Sequence, residues 1–170
     1  LIGRAEALRT IHQPEDREQV RRAEERLRYD EAFVMQVVLA QRRNLAALEP
    51  AKPRSPRAGG LLEAFDATLP FSLTAGQREV GDQLLADLSR EVPMHRLLQG
   101  EVGSGKTVVA LRAMLAVVDS GGQAVLLAPT EVLAQQHARS IDALLGPLGR
   151  GGQLDATEGA TKVALVTGSM

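Results

Sequence analysis

Residues Gly100 to Thr107 read Gly-Glu-Val-Gly-Ser-Gly-Lys-Thr, which satisfies G-x-x-x-x-G-K-[ST] at every fixed position. That spacing suits one task, holding the phosphates of a nucleoside triphosphate with magnesium. Glycines let the backbone turn so that consecutive N–H groups face phosphate oxygens. A helix starting directly behind the loop adds unpaired N–H groups and a favourable dipole. Gly100, Glu101, Val102, Gly103, Ser104 and Gly105 would wrap the triphosphate, and Lys106 would reach its β- and γ-phosphates. The Thr107 hydroxyl would ligate Mg2+. Lys106 and Thr107 are therefore the candidate catalytic residues. With 16 Gly but only 3 Lys in the chain, composition yields roughly two chance matches per thousand such sequences, so coincidence explains the motif poorly.

Other constellations are less specific. Thr74-Ala75-Gly76-Gln77 has the form of a capping box, in which Gln77 satisfies a helix start. Pro129-Thr130 reads as a strand-to-helix turn with Thr130 as N-cap. His12, His95 and His137 lack metal-ligand partners at useful spacing and read as ordinary histidines. Phe71 could pack near a nucleotide base, but it reads equally as a core residue. The absence of cysteine excludes disulfides, Cys-based zinc sites and thiol catalysis.

The elements around the phosphate loop follow from periodicity. Residues 1–48 read as helical: a short helix over 5–11, a second over 15–28, and a third with Asp30 as N-cap. Residues 49–60 carry three prolines and two glycines and read as a linker. From residue 61 strand and helix signals alternate. Helices are expected over 74–90, 107–119 and 130–145, strands over 96–99, 124–128 and 163–167, and a Gly-rich loop over 149–161. This alternation predicts an α/β fold, a parallel sheet with helices on both faces. The domain plan is a helical segment 1–48, a linker 49–60 and a truncated nucleotide-binding unit 61–170.

Net charge is -1, which argues neither for nor against nucleic acid. The first sixty residues carry three more basic than acidic side chains and the rest four more acidic, a mild bias that a solvated helix face explains. Aromatics are 2%, too few for a base-stacking platform. No apolar run approaches the ~20 residues that span a bilayer, and no secretion signal is legible, so a cytoplasmic protein is expected. The chain opens at Leu1 and ends just past a strand signal, and it reads as a piece of something longer.

Three segments occur in order: LPFSLTAGQ at 69–77, PMHRLLQGEVGSGKT at 93–107 and APTEVLAQQH at 128–137. Together they closely resemble the first helicase lobe of the RecG family, bacterial ATP-dependent DNA helicases of superfamily 2. IHQPEDREQVRRAEERLRYDEAF at 11–33 resembles that family's helical linker, and VALVTGS at 163–169 its next strand and motif. The resemblance covers nearly the whole chain and implies a P-loop NTPase fold with a RecA-like sheet. It implies that Gln77 recognises adenine, and that Pro129, Thr130 and Glu131 contact the DNA backbone, with Thr167, Gly168 and Ser169 as a further contact. Branched DNA, at forks or junctions, would be the partner of a monomeric motor active in recombination and repair. The family's magnesium-holding acidic motif has no counterpart here, so the piece alone is not expected to hydrolyse ATP. Three alternatives stay open: a transcription-repair coupling translocase, which typically has Phe where Ser104 stands; a P-loop kinase; and a non-catalytic nucleotide- or partner-binding module.

Overall fold

The computed structural model describes residues 1–46, 48–153 and 159–168. The chain divides into two compact units, Leu1–Glu49 and Pro50–Met170.

The first unit is a helical hairpin of α1 (Arg4–His12) and α2 (Arg17–Ala46). Pro14 falls in the turn, where its missing N–H costs nothing. Ala7 and Ala23 are fully buried, one on each helix. Such small side chains let two helix backbones approach closely. The break expected between residues 28 and 30 does not exist, because α2 runs through it for 30 residues. No glycine or proline interrupts that stretch, and Asp30 caps nothing. Its carboxylate pairs instead with Arg26 at 3.0 Å, one turn back, and with Arg4 of α1 at 3.8 Å. Tyr29 and Phe33 stack with centroids 5.8 Å apart.

The second unit is built around α5 (Lys106–Asp119). Helices α3 (Leu61–Thr68) and α4 (Ala75–Leu88) both pack on it, and α6 (Glu131–Leu145) runs into a 3-10 turn at Gly146–Gly149. Leu61, Leu62 and Phe65 of α3 meet Val108, Leu111, Leu115 and Ala116 of α5, and Ile141, Leu145 and Leu148 close the cluster. α5 is apolar around most of its circumference, as a core helix must be. Helix α3 lay below the reach of periodicity, since eight residues after a Gly-Gly pair give barely two turns to read.

Two polar contacts fix α3 on α5. Asp119 is only 3% exposed, and its two carboxylate oxygens accept the amides of Leu61 (2.7 Å) and Leu62 (3.0 Å). Those are orphan donors of the first turn of α3. Gly60, the residue before that turn, is required there, because a Cβ would stand 2.7 Å from Asp119 Oδ1. Near the other end of α3, Asp66 accepts two bonds from Arg112, from Nε at 2.8 Å and Nη2 at 2.9 Å.

The segment 50–60 contains no helix or strand, as its prolines dictate, yet it is tied down. Ala51 donates to Glu91 O and Arg54 to Leu88 O at 2.8 and 2.7 Å. Arg54 Nη1 also donates to Ser120 Oγ at 3.3 Å.

The expected strands are not paired. Among the described residues the sole β feature is an isolated antiparallel bridge between Arg150 and Lys162. Residues 96–99, 124–128 and 163–167 carry no regular secondary structure. A strand gains stability from the ladder on each side and from faces covered by helices. Here Leu97, Val125, Leu127 and Val166 are 78–88% exposed, so neither contribution is made. Residues 161–168 still alternate half-buried and exposed, the period of an extended chain. Arg96, at the start of the first such segment, bonds Asp87 on α4 instead of a neighbouring strand.

Candidate functional site

The phosphate loop leads straight into α5, whose N-cap is Gly105. Gly103 and Gly105 have φ of 83° and 80°, a left-handed region costly for any residue with a Cβ. Gly105 is constrained twice, since a Cβ there would also collide with Gln77 Nε2. The loop closes on itself through Ser104 N–H to Glu101 O at 3.1 Å. Val102 at its tip is fully exposed.

Lys106 folds across the loop. Its ammonium donates to Gly100 O at 2.8 Å and to Glu101 O at 2.7 Å, which leaves one N–H of three for another acceptor. The amides of Lys106 and Thr107 sit in the first turn of α5, where no intrahelical carbonyl can reach them. Thr107 is half-buried in the same turn. Unpaired amides, a helix dipole and a tethered cation converge here, so the residues present fit a polyphosphate. A hydroxyl beside those phosphates suits Mg2+, which takes few protein ligands and completes its shell with phosphate and water. Among the described residues no group of three or more His, Asp or Glu side chains is placed to hold a metal ion.

Gln77 is held at both ends of its amide. Oε1 accepts the Thr74 N–H at 2.9 Å, and the Thr74 hydroxyl accepts the Gln77 N–H at 3.2 Å, so the capping box is formed. Nε2 donates to Ser104 O at 2.8 Å. The structure therefore joins the start of α4 to the phosphate loop across 27 positions of sequence. Nearby lies a cleft of about 520 Å³ lined by Asp66, Phe71, Arg78, Asp82, Arg112 and the 69–73 segment. Phe71 is 46% exposed, so it is a wall of this cleft and not a core residue.

Pro129, Thr130 and Glu131 form the entry to α6. The Thr130 hydroxyl accepts the Leu133 N–H at 3.3 Å, the N-cap expected there. Gln135 Nε2 donates to Glu131 Oε1 at 3.4 Å. Thr167 is half-buried and Gly168 lies in an exposed turn after the 163–167 segment, while Ser169 falls outside the described residues. The fasteners Asp66, Arg112 and Asp119 carried no sequence signal, because each partner lies 46 to 58 positions away.

The profile of the DEAD/DEAH box helicase family matches residues 74–165, a span that holds the capping box, the phosphate loop and α6. The chain is 54% identical over 170 residues, its whole length, to the ATP-dependent DNA helicase RecG of Mycobacterium leprae. It is 45% identical over 141 residues to the RecG of Synechocystis, covering 83% of the chain. A solved structure of RecG bound to a three-way DNA junction superposes with a TM-score of 0.73 at 38% identity, over 82% of this chain and 19% of that one. The chain spans 23% of the length of the M. leprae relative and 17% of the Synechocystis one. With the phosphate loop inside the matched span, the chain has a P-loop NTPase fold and belongs to the DEAD/DEAH box helicase family.

Proposed function

We propose that this chain is the nucleotide-gripping part of an ATP-dependent DNA helicase that works on branched DNA. The observation that carries the reading is the cradle at Gly100–Thr107, where Lys106 spans the loop and α5 starts immediately behind it. Likeness to RecG over the full chain supports the substrate class, and the solved RecG on a three-way DNA junction supports branched DNA.

In this reading the loop amides and Lys106 bind the β- and γ-phosphates. Thr107 holds the Mg2+ that screens their charge, and that ion supplies Lewis-acid activation when bound. Gln77 turns its amide to adenine, and the half-exposed Phe71 offers the base an apolar face. Pro129, Thr130 and Glu131 present the N-terminus of α6 to a DNA phosphate, which uses the same physics as the nucleotide loop. Thr167, Gly168 and Ser169 add a second backbone contact. The segments 96–99, 124–128 and 163–167 pair as parallel strands in the complete motor, burying Leu97, Val125, Leu127 and Val166. Residues 1–48 act as a helical segment joined through 49–60 to the lobe.

Calorimetric titration of the full-length protein with Mg-ATP tests the reading. Saturable binding that Lys106→Ala weakens about 100-fold is expected. Equal affinity in the two proteins would remove the cradle from its role.

A further inference from the structure

Helix α5 begins at the phosphate loop and ends on the segment that leads out of the unit. Its 14 residues span about 20 Å. At its far end Ser120 Oγ accepts Arg54 Nη1 while donating to Val117 O at 2.6 Å. One residue earlier, Asp119 holds the first two amides of α3. Halfway along, Arg112 grips Asp66 with two bonds. The stretch 54–66 is thus fastened to α5 at three points, and each is a specific polar bond rather than general apolar contact.

The outer part of that stretch is the more sparsely held. Residues 50–60 have no secondary structure of their own. They are held by few bonds: the Ala51 and Arg54 amides to Glu91 and Leu88, the Arg54 guanidinium to Ser120, Gly59 N–H to Glu63 Oε2, and Gly60 N–H to Arg57 O. Segments held this sparsely open locally at low free-energy cost. A ligand shifts such an equilibrium only through contacts that differ between the two states. Holding the N-terminus of α5 on a polyphosphate supplies that difference, because the Arg54 guanidinium and the first two amides of α3 are fastened at the far end of that same helix, on Ser120 and Asp119.

We propose that α5 is a coupling rod, transmitting nucleotide occupancy of the phosphate loop to the docking of residues 54–62 through Arg54–Ser120 and Asp119–Leu61/Leu62. The proposal rests on nucleotide binding at the loop. It makes the Pro-rich segment a nucleotide-controlled joint where a passive spacer would respond to nothing.

Hydrogen exchange of the full-length protein, with and without a non-hydrolysable ATP analogue and magnesium, tests it beside a calorimetric titration of the same samples. Amide exchange across 54–62 should slow at least about fivefold on saturation. Arg54→Ala should bind the analogue within about twofold of wild type and lose the response at 51–57. Asp119→Asn should lose it at Leu61 and Leu62; should that variant fail to fold, Arg54→Ala carries the test. Analogue binding without any change across 54–62 overturns the coupling, as does an undiminished response in Arg54→Ala. No analogue binding at all overturns the loop's nucleotide role and the coupling together.

Discussion

Lys106 and Gln77 show how much a single side chain can do in this site. Lys106 is one of 3 lysines in a chain otherwise reliant on arginine for positive charge, and it is already hydrogen-bonded to the loop it serves. Lys106→Ala is expected to cut ATP turnover of the full-length protein by about 100-fold or more, measured as steady-state phosphate release. Turnover within a few-fold of wild type would contradict the phosphate role. Gln77 carries a structural duty alongside any contact with adenine, since its amide closes a capping box and holds Ser104 O. Gln77→Ala should therefore lower stability by about 1 kcal/mol even without nucleotide, as read by urea denaturation. A purely base-reading glutamine would leave that midpoint unmoved. Glu131→Ala should reduce DNA stimulation of ATPase more than nucleotide affinity. Equal loss of both would indicate a misfolded lobe. The positive-φ glycines at 103 and 105 and the helix start behind them were legible in sequence, because the spacing that announces them is local to eight positions. The tie from Gln77 to Ser104 was not, because hydrogen bonds across 27 positions leave no pattern in spacing.

At the scale of elements, α3 and α5 are joined by charged groups that periodicity could not disclose. Arg112 is nearly buried, with its charge met by Asp66. Removing one partner strands the other, so Asp66→Ala should cost about 3 kcal/mol. Replacing both with leucine should recover much of that loss. Thermal unfolding of the three proteins would check it, and a double variant as unstable as the single one would contradict it. Helix α4 carries a pH-sensitive contact. The hydrogen bond from Arg96 holds the Asp87 carboxyl below its ordinary value of 3.8, against the opposing effect of burial, with the charges of Arg96 and Arg90 helping. A depressed carboxylate stabilises the fold above its unfolded value and loses that contribution as pH falls through its folded value. Asp87→Asn should thus be less stable than wild type at pH 7, with the gap closing below pH 3.8. A gap independent of pH would refute the assignment. Helices were largely readable because capping residues and Gly-Pro stops are local signals. Short α3 escaped that reading, and the break expected near Asp30 shows that an N-cap residue type caps nothing when its carboxylate is engaged by an arginine four residues earlier.

For the molecule as a whole, the expected α/β architecture and the observed one part company over the sheet. Apolar content located the segments 96–99, 124–128 and 163–167, and helix-forming patterns located the helices between them. Pairing is a different matter, because a strand is defined by its neighbours and not by its own residues. Nothing within Val125 or Leu127 says which backbone covers them, and here they face outward. In the second unit the packed core is consequently helical, organised on α5, while the phosphate loop keeps its shape from bonds internal to it and from α4. Among the described residues no helix is long and apolar enough to cross a membrane. The most direct test of the proposed function is steady-state ATPase of the full-length protein with no DNA, linear duplex and forked DNA in parallel. Turnover stimulated strongly by forks over duplex is expected of a motor that works on branched DNA. Turnover indifferent to every DNA would contradict that reading and favour a P-loop enzyme with another acceptor.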